Sequence, residues 1–228
     1  MIKFENTEVF GWETAIRGMR NPMNSWDKSD SEYGTEWGVS EPVYHIGLND
    51  LDLMKRLCNA GTDHRKFMRM ITVYVDITAP LYWWKEFDTY KVGTVANSCS
   101  TMHKIHAKEF TLEDFSCEHL FNEDAGKEDQ KHYNPWLSEF MVVIAFLNRA
   151  RERYLETKDK KYWRQMIQLL PSSYNQKRTV MLNYEVLANI YKSRKAHRLD
   201  EWSGENGFCK WIEELPYSEL IMVDLMEN

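Results

Sequence analysis

The sequence predicts an α+β fold in one domain spanning residues 1–228. Three observations predict it. Arg69–Thr78 alternates, placing Ile71, Val73, Val75 and Ile77 on one face, which is the period of a half-buried strand. Trp136–Glu156 instead repeats its apolar residues at helical spacing, through Phe140, Val143, Ile144 and Leu147. No internal repeat, low-complexity tract or Gly/Ser linker separates the two kinds of segment.

In chain order, Ile2–Phe10 alternates weakly and reads as a short strand, and Glu13–Arg20 as a helical turn. Asn21–Val43 is rich in Asn, Ser, Asp, Gly and Pro and reads as a loop. Asn49 is placed to cap a helix over Asp50–Ala60, with Leu51, Leu53, Met54 and Leu57 apolar and Gly61 as the stop. Pro80 ends the alternating strand and suits the first turn of a helix over Leu81–Tyr90. Glu118–Tyr133 is charged and polar, the composition of an exposed loop. Asn134-Pro135 is a helix start for Trp136–Glu156, and a further helix over Lys161–Leu170 is stopped by Pro171. Arg178–Leu182 reads as a strand. Tyr184–Arg198 reads as a helix with Val186, Leu187, Ile190 and Tyr191 apolar, and Phe208–Glu214 as a short last helix.

Composition excludes some functions. A net charge of −6 argues against a general nucleic-acid binder, which needs excess Lys and Arg to replace phosphate counterions. No apolar run reaches the roughly 20 residues that span a bilayer. The N-terminal MIKFENTEVFGWE carries acids where a signal peptide is apolar. The four cysteines, Cys58, Cys99, Cys117 and Cys209, are dispersed without CxxC spacing, as expected of reduced thiols. The expectation is a soluble cytoplasmic protein with no membrane and no nucleic-acid polymer as partner. Nine Trp and twelve Tyr leave room for aromatic-rich interfaces.

The most informative stretch is APLYWWKEFDTYKVGTVANSCSTMH, Ala79–His103. It sets Tyr82, Trp83, Trp84 and the Lys85–Glu86 pair after a proline. Gly93, Thr94, Asn97, Ser98, Cys99, Ser100 and Thr101 then follow. Short donors on a rigid frame are what phosphate and base edges require; a polar loop capping a buried helix is the alternative. Cys99 lacks an identifiable base, so a structural thiol outweighs a nucleophile. His103 and His106 are three apart and His119 follows Cys117, but no clear third ligand appears and no metal is expected. The Arg149–Arg153 run alternates with Glu152 and Glu156, the pattern of a solvated helix face.

Three segments in order resemble the flavin-dependent thymidylate synthase family. Asp63-His64 before the alternating strand matches its Gly-His-x-Ser/Thr turn, with His64 on the histidine and Asp63 on the glycine. Ala79-Pro80 and the following helix lead in the family to Arg-His-Arg-x-x-Ser-x-Asn-x-x-Ser-x-Arg. Without gaps this lands on Thr89, Tyr90, Lys91, Thr94, Ala96, Cys99 and Thr101, and one insertion after Thr94 brings in Asn97 and Ser100 instead. The first and last arginines thus become Thr89 and Thr101 or Met102, and threonine cannot supply an arginine fork to a phosphate. LPSSYNQKRTVMLNYEVLANIYKSRKAHR, from Leu170, resembles the family's Leu-Pro, strand and helix, matching at Asn183, Asn189 and Arg194. Arg198 falls where the family often has His, and Asp200 where it has Gln.

The resemblance covers about a third of the chain and implies a mainly antiparallel sheet with packed helices. It implies FAD-dependent methylation of dUMP in a homotetramer, with methylenetetrahydrofolate supplying the carbon and NADPH the reducing equivalents. No protein side chain attacks the uracil, so no catalytic residue is assigned and the protein positions its ligands. By this reading His64, Lys91, Thr94, Asn97, Asn183, Asn189 and Arg194 contact cofactor. Lys85, Glu86, Cys99, Ser100, Thr101, Arg194 and Arg198 contact the nucleotide. A re-purposed member that binds a nucleotide or protein without methyl transfer is the alternative.

Overall fold

A computed structural model describes residues 2–35, 37–38, 41–120 and 134–223. The chain forms β1 (Lys3–Phe10), α1 (Trp12–Arg20), β2 (Glu32–Gly34), β3 (Val43–His45), α2 (Leu48–Asn59), β4 (Thr72–Pro80), α3 (Leu81–Phe87) and β5 (Val95–Ser98). It continues through α4 (Thr101–Lys104), α5 (Pro135–Thr157), α6 (Lys160–Leu169), β6 (Asn175–Asn183), α7 (Tyr184–Arg194), α8 (Asp200–Ser203) and α9 (Phe208–Glu213). The main sheet has the order β1-β4-β6-β5, and β2 pairs with β3 in a separate two-stranded sheet. The architecture is α+β, an antiparallel sheet with packed helices.

Two compact units divide the chain. One takes residues within 1–3, 77–89 and 97–178, the other within 4–76, 90–96 and 179–228.

In the first unit, α5 and α6 form the scaffold. Asn134 caps α5 by accepting from Leu137 N, and Pro135 takes the first helical position, as the sequence predicts. Ile144, Leu147 and Ala150 of α5 meet Met166 of α6, and Ile105, Phe110 and Phe115 complete the cluster. The segment after β5 is laced to this hairpin by side chains on its backbone. Asn148 donates to Phe110 O and accepts from Phe110 N, both at 2.8 Å. Trp163 Nε1 donates to Met102 O at 3.0 Å. Arg151 Nε donates to His106 O at 3.1 Å, so this arginine of the expected solvated face is half-buried and structural. Trp83, Trp84 and Phe87 of α3 are buried, and Trp84 Nε1 donates to Gln176 O at 2.9 Å. Helix α3 stops at Phe87, short of the expected Tyr90, because Asp88 N and Thr89 N close the last turn and Thr89 Oγ1 takes Glu86 O at 2.7 Å.

In the second unit β4 starts at Thr72, because a helical turn over Lys66–Met70 takes up the expected start at Arg69. The alternating face is buried as predicted, with Val73 and Val75, and Ile71 just before the strand, at 1% exposure or less. The loop expected at Asn21–Val43 instead holds two helical turns, Asn21–Met23 and Trp26–Lys28, and β2, which pairs with β3. Tyr33 stands opposite Tyr44, with their rings 5.0 Å apart. The expected cap of α2, Asn49, lies inside the helix. Asp30 caps it from afar, accepting from Asn49 N at 2.9 Å and Asp50 N at 3.0 Å. Helix α7 ends at Arg194, not Arg198, because His197 O accepts from Ser203 Oγ and His197 Nδ1 from Leu199 N, turning the chain into α8.

Asp50 anchors this unit. Its carboxylate is fully buried and accepts from Arg20 Nε at 2.6 Å, from Ser29 Oγ and Ser31 Oγ at 2.7 Å, and from two backbone amides. Burial pushes its pKa up, but the Ser31 and Ser29 hydroxyls and the Arg20 guanidinium outweigh burial and hold it below the usual carboxylate value. A lowered folded pKa contributes stability above the unfolded value, near 4, and loses it as pH falls through the folded value. Asp50→Asn therefore costs about 3 kcal/mol at neutral pH, read by urea unfolding, and the gap from wild type is smaller at an acid pH below the unfolded value. An unchanged gap at both pH values refutes it.

Candidate functional site

In the first unit β5 and β6 converge on a cavity. The structure extends β6 back to Asn175, before the expected start at Arg178. Cys99 N donates to Lys177 O at 2.9 Å, and Gln176 Nε2 donates to Cys99 O at 2.8 Å. These pairs are invisible in a polar stretch with no alternation. They fix the backbone on which Cys99, Ser100 and Thr101 sit.

Those three residues line a cavity of about 280 Å³, near the lower end of small-molecule pockets. Lys104, Lys108 and Lys177 line it as well, with Tyr174, Asn175 and Gln176 forming one wall and Ile105 and Phe110 its apolar part. Ser100 caps α4, accepting from His103 N at 3.0 Å, and its hydroxyl lies 2.8 Å from His103 Nδ1. Lys108 pairs with Asp114, whose hydrogen bond holds the ammonium above the usual lysine value and thus charged. Asp114 is itself held by Thr111 in a reciprocal capping box. Burial pushes the Tyr174 phenol up, so it stays a protonated donor. Three ammonium groups, one of them shared with Asp114, and three hydroxyls around one cavity suit an anionic ligand with several acceptor oxygens.

The sequence singled out Cys99, Ser100 and Thr101 and missed the lysines. A signal existed for two of them: Lys104 and Lys108 are four apart directly after the small polar run. Lys177 had none, because only strand pairing sets it beside Cys99. Lys85 and Glu86 stand on α3, exposed and half-buried respectively, and do not line this cavity. Asn97 is exposed on β5. Arg178 stacks 4.1 Å over the Trp84 ring and pairs with Asp88 at 2.7 Å.

In the second unit Asn183 caps α7, accepting from Val186 N at 3.0 Å, and its Nδ2 would lie 2.8 Å from a Cβ on Gly93. At φ +75° and this close, position 93 requires glycine. Thr94 Oγ1 donates to Tyr90 O. Lys91, His64 and Arg198 are exposed. Arg65, next to His64, is 3% exposed and pairs with Glu185 at 2.9 Å. Its Nη2 also donates at 3.4 Å to Oδ1 of the exposed Asn189, which leaves the carboxamide NH₂ uncommitted by that bond. Arg194 Nε donates to Tyr90 Oη at 2.9 Å, and its guanidinium lies 4.9 Å over Trp202.

Among the described residues no group of three or more His, Cys, Asp or Glu could hold a metal ion, and no helix is long and apolar enough to cross a membrane. The four cysteines form no disulfide, and burial raises the Cys58 thiol to about 12 and the Cys209 thiol to about 11.

Comparison with solved structures gives likeness along nearly the whole chain. Thymidylate synthase X (ThyX) from Helicobacter pylori, solved with FAD and dUMP, superposes with a TM-score of 0.64 at 13% identity, over 96% of each chain. The fold is ThyX-like. The UMP/dUMP methylase PolB from Streptomyces cacaoi, bound with 5-Br UMP, superposes at 0.59 with 13% identity, over 96% of this chain and 93% of that one. No family model and no curated protein sequence matches.

Proposed function

We propose that this ThyX-like chain carries out flavin-dependent methylation of a pyrimidine nucleoside monophosphate of the dUMP type. The observation that carries the reading is the lysine-ringed cavity at Cys99, Ser100 and Thr101. By the resemblance the first and last arginines of the family's motif become Thr89 and Thr101 or Met102, and the cavity supplies cations from other positions. Lys104, Lys108 and Lys177 neutralise a phosphate, while the Ser100 and Thr101 hydroxyls orient it by hydrogen bonds. Tyr174 and Gln176 form the wall against which the sugar and base stand.

The donor set also fits FAD. Asn189, oriented by Arg65, together with exposed His64 and Lys91, offers amide, imidazole and ammonium groups suited to a flavin edge and a pyrophosphate. Asn183 and Arg194, which the resemblance also assigns to the cofactor, are held by bonds to Val186 N and Tyr90 Oη. If held there, FAD reduced by NADPH would supply the hydride and methylenetetrahydrofolate the carbon. The protein's part is to bind, orient and exclude water.

Homotetramer assembly belongs to the same reading. It is supported by the outward face of α5, where Met141, Val142 and Phe146 are each about half exposed.

Purified protein is expected to retain FAD, read as a flavin absorption spectrum after excess is removed. It is expected to release tritium from dUMP labelled at C5 when folate donor and reductant are added. Protein that binds neither FAD nor dUMP refutes the reading. Thr89 favours a second one, since its hydroxyl is committed to Glu86 O where the family places a phosphate-binding arginine. Nucleotide binding without tritium release would establish that non-catalytic alternative.

A further inference from the structure

The second unit contains a cleft that the proposed reaction does not use. It has a volume of about 520 Å³ and lies where β1 turns into α1, against β2, β3 and the turn at Tyr217. Phe10, Trp12, Tyr33, Tyr44 and Tyr217 line it, with Glu13 among them. The rings are paired and fixed: Tyr33 to Tyr44 at 5.0 Å, and Trp12 to Tyr217 at 5.1 Å, both edge-on. Tyr33 Oη donates to Glu13 Oε2 at 3.0 Å and so holds the carboxylate beside the rings.

Two local features frame this arrangement. Tyr217 has φ 53°, a left-handed conformation that a bulky residue adopts only where its surroundings impose it. His45, also in the lining, lies across Gly34 so closely that a Cβ there would sit 2.8 Å from its Cδ2. Phe10 and Tyr33 remain 52% and 60% exposed, so the aromatic surface opens to solvent.

Charge decides what fits. Among the described lining residues no lysine or arginine occurs, and Glu13 is the one carboxylate. Glu13 stands in the first turn of α1, where it offsets the helix's positive end, so an anion finds no attraction there. Aromatic faces around a carboxylate attract a cation with an apolar periphery. We propose that this cleft binds an alkylated ammonium group, with the rings contacting its alkyl shell and Glu13 balancing its charge.

The test uses the full chain with choline and with 3,3-dimethylbutan-1-ol, which has the same shape and no charge. Followed at the Trp12 indole N–H by NMR, choline binds at least about tenfold more tightly than the alcohol. Glu13→Gln, at an exposed position, removes most of that difference while the other indole resonances stay in place. Tyr44→Leu weakens choline by about tenfold. A peptide carrying trimethyllysine distinguishes the source: tighter binding than choline assigns the group to a protein side chain, and weaker binding assigns it to a small molecule. Equal affinity for choline and the alcohol, no Trp12 shift with choline, or binding undiminished in both variants overturns the proposal.

Discussion

Lys177→Ala is expected to weaken dUMP binding by about one to two orders of magnitude, the worth of a charge-assisted phosphate contact in a partly enclosed site. Lys177 is the informative choice among the three lysines because its backbone is fixed independently of its side chain. Its carbonyl accepts from Cys99 N, and the adjacent Gln176 clamps Cys99 O, and neither bond uses the Lys177 side chain. Lys104→Ala is expected to act in the same direction. Lys108 differs, since it is paired with Asp114 and its loss also frees that carboxylate toward the ligand. Titration calorimetry with dUMP and with deoxyuridine separates the contributions: the variants lose affinity for the nucleotide and little for the nucleoside. An equal loss for both ligands would refute phosphate recognition at this cavity.

Breaking the Arg65–Glu185 pair has the largest expected effect on stability. The contact is double, with Nε at 2.9 Å from Oε2 and Nη2 at 3.2 Å from Oε1, and both side chains are at least 92% buried. Removing one partner leaves an uncompensated buried charge, so Arg65→Leu or Glu185→Leu costs about 3–5 kcal/mol. Replacing both together restores most of the loss, because a buried pair exchanged for apolar groups of similar volume is often neutral. Urea unfolding of the two single variants and the double variant measures this. A double variant whose loss equals the sum of the two single losses would show that the two side chains are not coupled and would refute the prediction. Arg65 also orients Asn189, so the double variant is expected to recover stability without recovering FAD affinity.

Much of the scaffold was legible because local chemistry determines it. The alternation of Ile71, Val73 and Val75 appears as the buried face of β4 and the residue just before it, and Asn134-Pro135 starts α5 where a cap and a preset φ allow. Pro171 follows α6 closely, and its apolar face meets α5. The candidate site was legible in part. Cys99, Ser100 and Thr101 stood out as small polar groups after an aromatic helix, and they line the cavity.

The sequence by itself determined periodicity, capping at α5 and the residue types suited to a phosphate, all properties of neighbours within a turn or two. Tertiary structure alone decided which remote groups meet. Gln176 reaches Cys99 across 77 positions, Arg65 reaches Glu185 across 120, and Asp30 rather than Asn49 caps α2. Hydrogen bonds and ion pairs of this kind depend on where the chain returns in space. A polar residue's type leaves its partner open until folding brings one within about 3 Å.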